Sequence, residues 1–227
     1  MKNSIYFIVI MLSASIVLTA CGAQPATATT TGTVPNDLQS MEAAAEDIID
    51  YAPSGNWDKI SADVTDIANA WKSYQPQAGK AGASQELQDA MTSALTQLQA
   101  ASASKDSAAT MQASNNVSAA VVELFALYHP KVPADIGRLD VLERQVILDV
   151  AKQDYSAAEA SLSKAKSAWE SVKSSALAHN GKEVAAQFEA RLTAQASALA
   201  AKDSTALTNE ARNALEIVDS LEQLYLQ

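Results

Sequence analysis

The chain has 227 residues and a net charge of −10, carried by 26 acidic against 16 basic residues. An acidic chain without a basic cluster is not built to bind nucleic acid or to lie against anionic lipid, because either task needs grouped Lys and Arg. Its single cysteine, Cys21, excludes an intramolecular disulfide, so core packing alone has to hold the fold.

Residues 1–20 open with Met1-Lys2-Asn3, which carries one cation and no acid, and continue with the apolar run Ile5-Tyr6-Phe7-Ile8-Val9-Ile10-Met11-Leu12. That is the charged start and apolar middle of a signal peptide. Ser13 and Ser15 interrupt the run well short of the ~20 apolar residues of a membrane span. It ends in Leu18-Thr19-Ala20-Cys21, which resembles the lipobox of bacterial lipoproteins. The resemblance implies cleavage before Cys21, acylation of its thiol, for example with palmitate, and attachment of the mature protein to the extracytoplasmic side of a membrane. The alternative is an ordinary signal-peptidase site that leaves Cys21 unmodified. An exported protein whose only thiol has no partner fits acylation better, and two or three acyl chains anchor far more firmly than one.

Residues 21–34 follow Cys21 with small, uncharged, Thr-rich sequence and no apolar periodicity, the composition of a flexible tether. At ~5–6 Å × √n its reach is about 20 Å, enough to lift a domain off the headgroups.

From Pro35 onward Gly and Pro are sparse, Ala, Ser, Gln, Glu and Leu abound, and apolar residues recur at helical spacing. Ile60, Val64, Ile67, Trp71 and Tyr74 step by four, three, four and three, one stripe of an amphipathic helix. Ala158, Leu162, Ala165, Trp169 and Val172 repeat that stripe 98 residues later. Val34-Pro35 matches Val132-Pro133, and after the second helix the offset becomes 97, so that Lys105-Asp106-Ser107 meets Lys202-Asp203-Ser204 and Tyr128 meets Tyr225. Agreement over so long a stretch predicts an internal duplication.

Each unit is predicted to hold four helices. In the first they run Pro35 to Tyr51, Asn56 to Tyr74, Ser84 to Ser102 and Asp106 to Tyr128, with a loop from Gln75 to Ser84. In the second they run Pro133 to Val150, Asp154 to Leu177, Gly181 to Ala201 and Asp203 to Tyr225. Pro35 and Pro133 suit a first turn, and Asn56, Ser84, Asp106, Asp154 and Asp203 suit N-caps. The expected architecture is all-α, two tandem antiparallel four-helix bundles over residues 35–130 and 131–227, with one continuous eight-helix array as the alternative. Pro130 and Pro133 mark the junction.

The chemistry-bearing residues read mostly as structure. Trp71 and Trp169, Trp57 and Tyr155, and Tyr128 and Tyr225 occupy equivalent places and fit a core better than a shared ligand pocket. His129 and His179 stand at helix ends without the Glu-x-x-His pattern of bundle metal centres. The acids Glu42, Glu46, Asp47 and Asp50, with Asp63 and Asp66 on the next helix, suit a solvated face. Glu42, Glu46 and Asp50 are the candidates for a divalent cation should these helices bring them together. Arg138, Arg144, Arg191 and Arg212 all fall in the second unit, and Asp140 with Arg144 at i, i+4 spacing, with Glu143 near them, suits ordinary surface ion pairs, an anion pocket being the other reading.

No phosphate loop, nucleophile elbow or zinc-protease motif is present. The expectation is therefore a non-enzyme without a cofactor: a lipid-anchored envelope module that presents helical faces to an envelope protein or peptide. The alternative is a small-ligand or metal-binding accessory lipoprotein.

Overall fold

The computed structural model describes residues 32–227; the expected signal peptide, Cys21 and the tether as far as residue 31 lie outside the described residues. The described residues are all-α. They form α1 (Asn36–Tyr51), a single 3-10 turn (Ala52–Ser54), α2 (Trp57–Ala78), α3 (Gln85–Ala103), α4 (Ser107–Ala126), α5 (Ala134–Ala151), α6 (Tyr155–Ala178), α7 (Lys182–Ala200) and α8 (Ser204–Leu226).

Local chemistry sets most boundaries. The side chains of Ser84, Asp106, Asp154 and Asp203 each accept the amide of the residue three positions on, the N-cap bond their identities predict. Asn56 sits at the start of α2 but makes no such side-chain bond. Pro35 and Pro133 stand one position before the first turn, as the caps of α1 and α5, and their carbonyls accept the first amides at 3.0 and 2.9 Å. The main departure is α2, which runs past Tyr74 and through Pro76 to Ala78. Pro76 withdraws one amide donor and so orphans the Lys72 carbonyl, but Lys72 is exposed and water can take its place. The tether end also differs from expectation: the Gly32 amide bonds the Tyr128 carbonyl at 2.9 Å, and Val34 is buried in the core.

The eight helices share two hydrophobic cores. One is built by α1 to α4, from Val34 to Tyr128, and the other by α5 to α8, from Ile136 to Tyr225. Within each set, chain neighbours pack together and the first helix packs on the fourth. Ser73 at the end of α2 bonds Asp37 at the start of α1, and Ser107 at the start of α4 bonds the Ala52 carbonyl beyond the end of α1, so these pairs run antiparallel.

The repeat extends to details the sequence pattern did not use. Backbones at Gly55 and Gln153, and at Lys105 and Lys202, turn through matching left-handed conformations, with φ of 67° and 60° for the first pair and 55° and 53° for the second. Three of these residues are not glycine and carry the local cost of that conformation because each reverses the chain between two packed helices. The Trp71 indole donates to Thr92 and the Trp169 indole to Glu189, both at 3.2 Å, across equivalent helix pairs. The cores then diverge by compensation. Where the first unit places Tyr74 beside Trp71 and Met91 on α3, the second places Val172 and Phe188, whose ring lies 5.1 Å from Trp169. One large ring moves from the second helix to the third. The substitution also removes the buried Tyr74 to Tyr128 hydroxyl contact of 3.0 Å, and the buried Tyr225 hydroxyl has no hydrogen-bond partner.

Candidate functional site

The seam between the units is where their polar chemistry gathers. α4 packs antiparallel on α5. Gly137 on α5 makes this close: a Cβ there would stand 3.0 Å from Val122 Cγ2. Further along, the buried Asn115 side chain donates to the Val141 carbonyl at 3.1 Å and to Gln145 at 3.0 Å, while Gln112 and Gln145 exchange amide bonds at 2.7 and 3.1 Å. Arg138 closes the other end with a two-pronged grip on Glu123, both bonds at 2.7 Å, and a third bond to Asp135 at 2.8 Å. That bidentate geometry is the strong form of the Arg–carboxylate pair.

The opposite side of the seam is open. α1 and α8 do not pack together as α4 and α5 do. The repeat explains why. At the positions where α4 carries Val122 and Phe125, α8 carries Asp219 and Glu222; where α5 carries Gly137, α1 carries Gln39. Two apolar side chains and a glycine allow one helix pair to close, whereas two acids and a glutamine keep its counterpart apart.

The result is a groove of about 540 Å³ walled by all four helices, with Glu42 and Glu46 from α1, Asp140 from α5 and Asp219 and Glu222 from α8. Val122, Phe125 and Val132 supply apolar surface, and Gly32, at the end of the tether, lies at its edge. Arg144 reaches into this cluster, bonding Glu46 at 2.7 Å and Asp140 at 2.6 Å, and its Nη1 is buried without a hydrogen-bond partner. Glu46 and Arg144 are equivalent positions of the two units, as are Glu42 and Asp140, so the units meet through their own repeated residues. A second groove, of about 530 Å³, lies on the far face between α4, α5 and α6; it is mostly apolar, with Arg138 and Glu123 at its margin.

Burial dominates the electrostatics. It raises Glu42 from the ordinary 4.5 to about 8, helped by Glu46, Asp140 and Glu222 and opposed by Arg144. Asp140 rises to about 7 for the same first reason, with the Arg144 charge pulling the other way, and Glu222 rises to about 6. Glu143, on the core side of α5, is fully buried and rises to about 8. The Gln195 amide on α7 is near enough to favour its ionised form, though no hydrogen bond of good geometry joins the two. The first unit has the apolar pair Ala45 and Leu98 in their place.

Several expectations need correction here. The Asp140–Arg144 pair is not on the surface: the two side chains are only 13% and 16% exposed, and Arg144 reaches across to the other unit. Its i, i+4 spacing is real, but α5 turns this face toward the seam. The second unit's arginines divide by role, with Arg138 and Arg144 tying the units together, Arg191 bonding Glu210 within its own unit at 2.7 Å, and Arg212 exposed. Of the three cation candidates, Glu42 and Glu46 enter the groove, Glu46 is taken by Arg144, and Asp50 is exposed. Among the described residues no group of three or more acids, histidines or cysteines is arranged to hold a metal ion. Asp63 does meet Asp47 and Asp66, whose charges add to burial in raising its pKa.

The aromatics are core: Trp71 is 4% and Trp169 1% exposed, while Trp57 and Tyr155 are half-buried. His179 caps α6, where its ring nitrogen lies 2.9 Å from the Ser175 carbonyl, and His129 is exposed just past α4. Sequence reasoning missed Gln195, Asp219 and Glu222, and it grouped Glu143 with the surface ion pairs, whereas Glu143 is fully buried. The signal was present in the repeat, as acids or amides standing where the other unit has apolar residues. No helix among the described residues is long and apolar enough to cross a membrane. Comparison with protein-family models, curated proteins and solved structures finds no match to this chain.

Proposed function

We propose that this chain is a non-catalytic lipoprotein of the cell envelope, anchored at Cys21, that docks a basic segment of another envelope protein or a peptide in the groove between its two units. The observation that carries this reading is the groove itself, which combines five carboxylates with apolar walls drawn from α1, α4, α5 and α8. Its chemistry complements a segment that alternates cationic and apolar side chains, for which charge supplies steering and selectivity. The groove lies where the chain arrives from Cys21, so an anchored molecule holds it within the tether's ~20 Å reach of the membrane. The acidic surface disfavours contact with anionic headgroups and leaves the groove for protein.

Two measurements test it. The lipobox pattern predicts that the exported protein carries acyl mass at Cys21 and that Cys21→Ser moves it from the membrane to the soluble fraction; an intact mass showing an unmodified cysteine ends the anchoring part. A photo-crosslinking residue at Ala43, on the groove wall, is expected to give one discrete adduct in cells, whereas the same residue at Thr96, on the exposed face of α3, gives none. Equal labelling from both positions overturns the docking part. If a small cation or metal ion raises the melting temperature and Ala43 yields no adduct, the accessory small-ligand reading replaces it.

A further inference from the structure

The two sides of the seam differ in kind. On the α4–α5 side the contact is apolar packing around Gly137, an amide network and the bidentate Arg138–Glu123 pair. On the α1–α8 side the contact is electrostatic. The charged groups that line or reach the groove are Glu42 and Glu46 from α1, Asp140 and Arg144 from α5, Asp219 and Glu222 from α8, and Lys131 from the segment joining the units, whose amine bonds the Gln227 carbonyl at 3.3 Å; Arg212 lies two turns before Asp219 on α8, exposed. Glu143 lies one turn away on the core side of α5, close enough to feel Asp140. α4 contributes Val122 and Phe125, and the stretch before α1 contributes no charge. One buried guanidinium thus serves five carboxylates, and it is already bonded to two of them.

We propose that this cluster is a proton-operated latch: with its carboxyls protonated, α1 and α8 are held toward one another, and with them ionised the units hinge apart about the α4–α5 contact. The balance of charge dictates the direction. With Glu42, Asp140 and Glu222 neutral, the two remaining carboxylates, Glu46 and Asp219, are matched in number by Arg144 and Lys131. With all five ionised, three negative charges remain unmatched after Arg144 and Lys131 are counted, and water screens Glu42 and Asp140 poorly because both are buried. Like charges on α1 and α8 then repel across the only side of the seam that no close packing holds. Burial places the raised carboxyls Glu222, Asp140 and Glu42 in succession at about 6, 7 and 8, so the transition falls across neutral pH and its steps are shared among coupled groups. The outcome is a groove whose width follows pH.

The latch is tested with spin labels at Ser40→Cys on α1 and Gln223→Cys on α8, both exposed positions, in a full chain carrying Cys21→Ser so that no other thiol reacts. The interlabel distance is expected to lengthen by several ångströms between pH 5.5 and 8.5, with unchanged helical circular dichroism. In the Glu42→Gln, Asp140→Asn variant, which is neutral at both positions at every pH, the distance is expected to stay near its short value. Glu42→Gln alone serves if the double variant does not fold, and should shrink the change by about half. A parent distance that is flat over this range overturns the latch. So does a full-sized change that survives in the amide variants, which would place the titrating groups elsewhere.

Discussion

Replacing Trp71 or Trp169 with Ala is expected to lower the unfolding free energy by ~3–5 kcal/mol, the range for deleting a large aromatic from a packed interior. Both rings are buried in the middle of their own core, against Tyr74 at 6.2 Å in the first unit and Phe188 at 5.1 Å in the second. Each loss combines the transfer term of the ring with a void that helices on three sides cannot collapse to fill. It also removes the partner of an indole hydrogen bond, to Thr92 or Glu189, but those acceptors lie near the surface and can turn to water. Trp→Phe at either site should therefore cost clearly less than Trp→Ala, since it keeps most of the packed volume. Urea denaturation of the four variants followed by circular dichroism checks this. Midpoints equal to that of the parent for the two alanine variants would show that the rings are not core.

Stability is expected to fall as pH rises from about 5 to 9, by on the order of 3 kcal/mol, opposite to the common rise on leaving acid. The sign comes from the direction of the shifts. Glu42, Asp140, Glu143 and Glu222 all have folded-state pKa values raised above their ordinary ones, first by burial. Between the unfolded value near 4.5 and the folded value the native state holds more protons than the unfolded chain, so each step up in pH favours unfolding. The decline begins near pH 4.5 and levels off above about 8, once Glu42 and Glu143 have ionised. Their individual costs do not add, because Glu42, Asp140 and Glu222 share one field with Arg144 and lose protons in coupled steps. Chemical denaturation at half-unit pH intervals measures the slope. In Glu143→Gln, which removes the buried acid facing Gln195, the decline should be shallower; a parent stability that rises from pH 5 to 9 would contradict the assignment.

Much of the architecture was legible in the sequence because its determinants are local. The Ser and Asp caps act within three residues of themselves, and the Trp71 and Trp169 stripes report burial through helical spacing alone. The repeat register, shifted by one residue after the second helix, also pairs Lys105 with Lys202, and the two backbones take matching left-handed conformations. Where local rules compete with packing the sequence reading stopped short: the second helix was expected to end at Tyr74, yet its exposed last turn continues through Pro76 to Ala78.

What only the tertiary structure decided is which surfaces of the two units meet. Asp140 and Arg144 have the same i, i+4 spacing whether their face looks to water or to another helix, and the choice depends on Val122 closing over Gly137 to bring α4 onto α5. That contact fixes the rotation of the second unit about the first, and with it brings Glu46 to Arg144, two residues 98 positions apart. Helical periodicity describes each helix in its own frame and carries no information about the angle between units. The grouping of Glu42, Asp140, Asp219 and Glu222, and the upward shift of Glu42, Asp140 and Glu222, follow from that angle because desolvation and repulsion depend on distances across the seam rather than along the chain.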